Sequence, residues 1–379
     1  MRAYNSDPSH RIKIQFYGFD SPTEMTFTDS PSHVLHFVLD YLASIGGAIV
    51  RERSERIDAL LGKDSGWENP AAMMDSSQSV GLSPEATALR IEAEELIAEL
   101  GLRRLELVAK GEKIRYLEAV HYAKVAWQLL NYHAILARDS PDRIVLALGL
   151  RDAMMAENLV YIFSRQRGRG KVLIYAHNSH LKRGRAEWQL GADLLRWWPA
   201  GAHLAEIFGP LYAVIGTAVG FSDENGIGES EAGTLEARLA AASGPGSGLF
   251  IPTHRGQGLS ASEIEALPIR SGGVKNPTYF PLISQSLNDF DVLAFLDAVG
   301  YSRGGIQPGW VGAAVAEQGR NGFPSSEGDH PRAAHPSGDK GGVQAKMKGR
   351  IPHFALKSGG SVGAIEWRPF CGLLRPQGS

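Results

Sequence analysis

The chain has 379 residues, 43% of them hydrophobic and 21% charged, enough apolar material for one large domain or two smaller ones, which excludes a chain disordered throughout. A formal net charge of -2 with both signs interspersed provides no field for nucleic acid or an anionic membrane. The single cysteine, Cys371, excludes an intrachain disulfide and a CxxC metal site, and the sequence shows neither an apolar leader nor a run of about eighteen apolar residues, so a reducing, cytoplasmic setting is expected.

In chain order, residues 1–10 are polar and read as loose. From Arg11 to Phe19 the apolar Ile12, Ile14 and Phe16 alternate with Lys13, Gln15 and Tyr17, a period of two that predicts a half-covered strand. Asp20 follows it. A carboxylate there can orient an imidazole or hold a substrate hydroxyl, whereas an aspartate before Ser-Pro is also a common turn former. From Ser32 the apolar Val34, Phe37, Val38, Tyr41 and Leu42 recur at three and four, which predicts a helix. His33 and His36 lie on it and read as an exposed face rather than as metal ligands. Residues 62–82, rich in Gly, Ser, Asp and Asn, read as a connector. Ser83 and Pro84 then fit an N-cap and first helical position for a helix running to Lys110. A second helix, Glu112 to Arg138, places Leu117, Val120, Ala123, Trp127, Leu130 and Ala134 on one stripe. His121 and His133 on that helix read as structural or solvent-facing.

Arg151 to Phe163 is the next predicted helix, with Met154, Met155, Leu159, Ile162 and Phe163 on its buried face. Arg151, Met155 and Asn158 share one side. A guanidinium here can hold an oxyanion or carboxylate in a cleft; the plainer reading pairs Arg151 with Asp152 or Glu157 on the surface. After Gly168 and Gly170, the run Val172, Leu173 and Ile174 has the character of a fully buried strand, and it breaks directly into His177, Asn178, Ser179 and His180. Open parallel sheets react at the carboxyl ends of their strands, and neutral imidazole serves as base, acid or ligand. A strand-end histidine can equally cap a turn or bond a carbonyl. Two histidines are too few for a structural zinc and no third is spaced to match, so neither metal nor other cofactor is expected.

The basic, aromatic run from Lys182 reads as a mobile cleft rim. Tyr212 to Val219, Phe250 and Ile251, Val274, and Val292 to Leu296 are strand candidates, and Thr234 caps a short helix to Ala242. His254 stands alone in a loop. Gly304 to Gly359 is thick with Gly, Pro, Ser and charged residues and poor in apolar ones, so the segment after residue 300 cannot offset its ordering entropy and is expected to be a disordered tail.

Four landmarks, in order, resemble one family. YAHNSH at residues 175–180 is similar to the W-A-H-N-x-H segment of the erythromycin esterase family, and RDAMMAEN at 151–158 to the Arg-Asp and Met-Ala-Glu-Asn segment that precedes it there. FYGFD at 16–20 and FDVLAFLD at 290–297 match a third landmark and the closing strand, and Leu190 to Trp198 resembles the family's G-x-x-L helix beneath the rim. Pattern and resemblance together predict an α/β fold: a central, largely parallel sheet flanked by helices, with an antiparallel helical insertion at about 32–138 in one domain of residues 11–300.

The resemblance implies hydrolysis of a carboxylic ester or macrolide lactone, a small-molecule partner, by water attack without a bound metal. It assigns His177, His180 and Arg151 to catalysis and Asp20, Asn158 and Asn178 to substrate binding. It also implies a loss. The family's opening Gly-Glu-x-x-His-Gly motif, whose histidine is considered the principal base, is absent from this sequence, as is the following glutamate strand, through truncation or a misplaced start codon. The expected enzyme is therefore weakly active or inactive, with a ligand-binding pseudoenzyme as the alternative. An uncovered sheet edge would invite pairing with another chain, so a homodimer is left open.

Overall fold

The computed structural model describes residues 1–20, 23–24, 27–45, 49–253, 261–271 and 279–300; Val274, His254 and the tail lie outside them. The fold is mixed α/β and divides into two compact units.

The first unit comprises Met1–Gly216 with Asn288–Asp291. Residues 2–6, which read as loose, form a short helix α1 (Arg2–Ser6), and β1 (Thr23–Glu24) pairs antiparallel with β2 (Phe27–Thr28). Helices α2 (Ser32–Ile45), α3 (Ile49–Leu61), α4 (Asp64–Trp67), α5 (Pro84–Leu102), α6 (Arg104–Lys110) and α7 (Lys113–Leu136) follow. Where one helix was expected from Ser83 to Lys110 there are two, broken at Arg103, just after the weak helix former Gly101. On α7 the buried Tyr116, Ala119, Ala123, Ala126 and Leu130 recur at three and four, a stripe that packs with Leu35 and Leu39 of α2 and with Leu89 and Leu96 of α5. Each fully buried leucine contributes about 2 kcal/mol.

Ser83 caps α5 as its sequence suggested, its Oγ accepting from Ala86 N at 3.0 Å with Pro84 in the first turn. Ser83→Ala is expected to cost about 1 kcal/mol, read as a shift in the urea midpoint with an unchanged slope.

Helix α8 (Arg143–Gln166) is two turns longer at its start than the sequence pattern indicated, so Arg151 lies in its middle rather than at its head. One of its sides carries Arg151, Asn158 and Gln166, which fall within about 80° of one another around the helix axis. Each holds the extended segment that runs back along the helix: Gln166 Nε2 donates to Gln15 Oε1 and to the Tyr17 hydroxyl, both at 2.6 Å, Asn158 Nδ2 to Phe19 O at 2.9 Å, and Arg151 to Asp20. The chain after α8 reverses through Gly168 (φ 79°) and Gly170 (φ 135°) and returns as residues 171–177 toward His180, which bonds to Asp152. Two extended segments thus run in the same direction along α8, both antiparallel to it.

Neither segment is a strand. Residues 11–19 and 171–177 carry no ladder among the described residues, although both were expected to be sheet strands. Val172 and Ile174 are half-buried, while Leu173 and Tyr175 are 94% and 92% exposed. An apolar run on both faces is the signature of a strand covered on both sides; here only the even-numbered face is covered.

Helix α9 (Asn178–Leu181) follows. The expected helix at 190–198 is instead a hairpin, β3 (Ala186–Leu190) with β4 (Asp193–Trp197), turning through Gly191 at φ 60°. Helix α10 (Ala200–Phe208) packs so closely on α9 that a Cβ on Gly201 would lie 2.1 Å from Leu181 O. Lys182 and Arg183, read as a mobile rim, are pinned by Asp289 and Asp291 at 2.6 Å each.

The second unit, Thr217–Leu287 with the chain from Val292, is built on a three-stranded sheet of order β5 (Ile215–Phe221), β7 (Val292–Ala298), β6 (Gly248–Pro252). β6 and β7 are antiparallel. β5 and β7 run parallel, with Val214 O accepting from Asp291 N at 2.8 Å and Phe221 O from Val299 N at 3.0 Å. Helix α11 (Leu235–Ser243), capped by Thr234, packs on β7, and the buried Arg270 donates to the carbonyls of Val219 (2.7 Å) and Gly220 (2.9 Å).

Candidate active site

The site is organised by two consecutive residues of α8, about 100° apart around the helix axis. Arg151 points to the Asp20 segment and Asp152 to the α9 turn and the hairpin.

Arg151 grips Asp20 sideways, Nε donating to Oδ1 at 3.1 Å and Nη2 to Oδ2. Burial alone would lower the guanidinium's pKa, but the Asp20 hydrogen bonds and charge more than offset it and leave it raised. Nη1 has no partner among the described residues. Beside it lies a narrow apolar hollow lined by Met73, Tyr132, Leu148, Trp188 and Leu190, closed to about the size of one water molecule. In this conformation that hollow is not a substrate chamber.

Asp152 is 1% exposed. Its carboxylate takes three donors: His180 Nδ1 at 2.8 Å, Ala200 N at 3.1 Å and Trp197 Nε1 at 2.5 Å. A buried carboxylate is tolerated when its lone pairs are satisfied in this way. It makes Nδ1 the protonated nitrogen of the neutral His180 ring, so the lone pair resides on Nε2. The His180 side chain keeps 19% of its surface accessible.

His177 is exposed and occupied locally. It caps α9, its Nδ1 accepting from Ser179 N at 3.2 Å and lying 2.7 Å from Ser179 Oγ. Asn178 is the first residue of that turn. The structure therefore brings Arg151 to Asp20, Asn158 to Phe19 and His180 to Asp152; neither histidine hydrogen-bonds to Arg151.

Sequence reading passed over Asp152 except as a surface partner for Arg151. Its signal was present: Leu148, Asp152, Met155 and Leu159 follow each other at four, three and four, so the carboxylate occupies the apolar stripe of its helix. Trp197, the other unanticipated partner, had been assigned to a helix that does not form.

Among the described residues no cluster of three His, Cys, Asp or Glu side chains is arranged to hold a metal ion, and no helix is long and apolar enough to cross a membrane. The sequence matches the family model for erythromycin esterase over residues 1–299. No curated protein sequence matches it. Three solved structures share the fold. A Bacillus cereus protein is 19% identical, with TM-score 0.57, covering 80% of this chain and 71% of its own. A succinoglycan biosynthesis protein is 18% identical, with TM-score 0.51 and coverages of 79% and 68%. A histidine mutant of the erythromycin esterase EreC in its open conformation is 14% identical, with TM-score 0.52 and coverages of 78% and 70%.

Proposed function

Because the chain belongs to the erythromycin esterase family, we propose that it hydrolyses carboxylic ester or macrolide lactone bonds by histidine-assisted water attack, and does so slowly. The observation that carries this reading is the Asp152–His180 pair, a half-buried imidazole held by a buried carboxylate at 2.8 Å. With Nδ1–H committed to Asp152, Nε2 takes a proton from water as the oxygen attacks the carbonyl carbon. The tetrahedral oxyanion then collapses, the C–O bond to the alcohol breaks, and the imidazolium returns its proton to the leaving alkoxide. Arg151 Nη1 is the cationic donor available to the oxyanion, with Asp20 and Asn158 fixing the segment in front of it and Asn178 placing the α9 turn.

One feature argues for a low rate: Asp20 neutralises the guanidinium that would otherwise meet the oxyanion at full strength. General acid–base catalysis by His180 is worth about 10²–10⁴ in rate. Full-length protein is expected to hydrolyse p-nitrophenyl butyrate measurably above the buffer rate, with the excess lost in His180→Ala and largely kept in His177→Ala. Wild-type rates in His180→Ala would overturn the assignment. The occupied guanidinium also favours a second reading, a cleft that binds the ester without turning it over. Calorimetric binding of a macrolide with no turnover would select it.

A further inference from the structure

The Asp152 carboxylate divides its two oxygens between different parts of the fold. Oδ1 accepts from His180 Nδ1 and Ala200 N, whereas Oδ2 accepts, among the described residues, from Trp197 Nε1 alone. The two donors on Oδ1 stand on α9 and at the start of α10, helices that already touch backbone to backbone at Gly201. Ala200 N is one of the donors that a helix leaves without an internal partner in its first turn. Trp197 comes instead from the end of β4, opposite the small Ala186 of β3. It is buried in a cluster with Ala186 and Leu195 that packs against Val145 and Leu148 of α8, so the place of the indole is set by the hairpin's own packing.

The torsion that carries an aspartate carboxylate is soft, broad and roughly two-fold. A carboxylate held through Oδ1 only can swing about it, and the bond to His180 loosens as it does. A donor fixed on Oδ2 stops the swing. Neutral imidazole has two tautomers, and the ring keeps the one whose N–H meets a steady acceptor. We propose that Trp197 is a positioning residue: its indole N–H locks the Asp152 carboxylate and thereby holds His180 in the Nδ1–H tautomer, which leaves the Nε2 lone pair available as the base. The consequence for catalysis rests on the reading of His180 as that base; the lock on the tautomer does not, and the two are read separately.

Trp197→Phe keeps an aromatic ring in the hairpin and removes the N–H. In full-length protein carrying isotopic nitrogen in its histidine rings, with His180→Ala identifying the resonances, the neutral His180 ring of the wild type is expected to be a single Nδ1–H tautomer. In Trp197→Phe its two nitrogen shifts are expected to converge as the tautomers mix, and kcat for p-nitrophenyl butyrate to fall about 10–100-fold with KM unchanged. Ser83→Ala, destabilised at the α5 cap, is the comparison for lost stability and is expected to keep the wild-type ring shifts and kcat. A single Nδ1–H tautomer retained in Trp197→Phe overturns the proposal whatever happens to the rate, and so does a wild-type His180 protonated on Nε2. If the wild type turns over no ester while the ring shifts converge as stated, the lock stands and the hydrolase reading falls. Should Trp197→Phe fail to fold, the wild type decides: the Trp197 indole proton is expected to exchange with deuterium far more slowly than that of the half-exposed Trp198, and equal rates overturn the proposal.

Discussion

Replacing Asp152 by alanine is expected to abolish ester hydrolysis and to remove about 4 kcal/mol of stability. Three donors converge on this carboxylate, and two of them, Trp197 Nε1 and Ala200 N, sit on buried residues. Alanine leaves both of those without an acceptor, at about 1–3 kcal/mol each, and returns His180 to whichever tautomer and rotamer solvent allows. Asp152→Asn separates the two effects. Its amide oxygen can take the place of Oδ1 and serve His180 and Ala200, while its NH₂ then confronts the Trp197 indole N–H. The asparagine variant is therefore expected to lose less stability than the alanine one while still losing most of the activity, because a neutral partner no longer stabilises the imidazolium. Urea unfolding and esterase rates on the same samples test both parts. An alanine variant with wild-type stability would show that the carboxylate is not the hub of this site.

What could be read from the sequence follows from what a single strand of letters encodes. The Ser83 cap and the stripe through Ala123, Leu130 and Ala134 are local, and a helix starts at each expected place, although the first stops at Leu102 and the buried face of the second takes Tyr116, Ala119 and Ala126 where Leu117, Val120 and Trp127 were expected. The resemblance in RDAMMAEN and YAHNSH located the two segments that meet at the site. Periodicity is blind to partners, however. Val172 to Ala176 has the composition of a buried strand, and nothing within those residues says that one face goes uncovered. The role of Asp152 was hidden for the same reason: its partners lie 28, 45 and 48 positions away. Only its place on an apolar stripe betrayed it, and adjacency to Arg151 suggested a surface pair instead. The hairpin at 186–197 was missed because the helix expected at 190–198 rested on the family resemblance, although Trp188 and Leu190, and Leu195 and Trp197, are two apart as in a strand, and Gly191, which turns the strands, lies between them.

The second large effect concerns acid. His133 is 1% exposed, edge-on to Trp67, with Nε2 2.9 Å from Asp29 O. Burial pushes its pKa down to about 4, against a smaller upward pull from that hydrogen bond. In the unfolded chain the same imidazole titrates near 6.5. Below pH 6.5 the unfolded state binds the proton first, so stability falls as pH falls, and the loss is complete once the folded pKa is passed. His133 alone is expected to cost about 2 kcal/mol by pH 5 and about 3 kcal/mol by pH 4. His121, stacked on Tyr161 at 3.8 Å, is held down to about 4 by burial and by the charges of Lys124 and Arg165, and it adds to the same slope. The paired carboxylates enter later. Glu106, lowered to about 2 by its bonds to Arg103 and Lys110, begins to matter only as pH falls into the ordinary carboxylate range, so the window from pH 6.5 to about 5 belongs to His133 and His121. His133→Gln keeps a donor for Asp29 O without a titrating group and is expected to flatten most of the dependence in that window, with His121→Phe removing the remainder. Urea midpoints at pH 7, 6 and 5 measure it, and a wild-type curve flat across that range would mean that His133 is solvated or protonated in the folded protein.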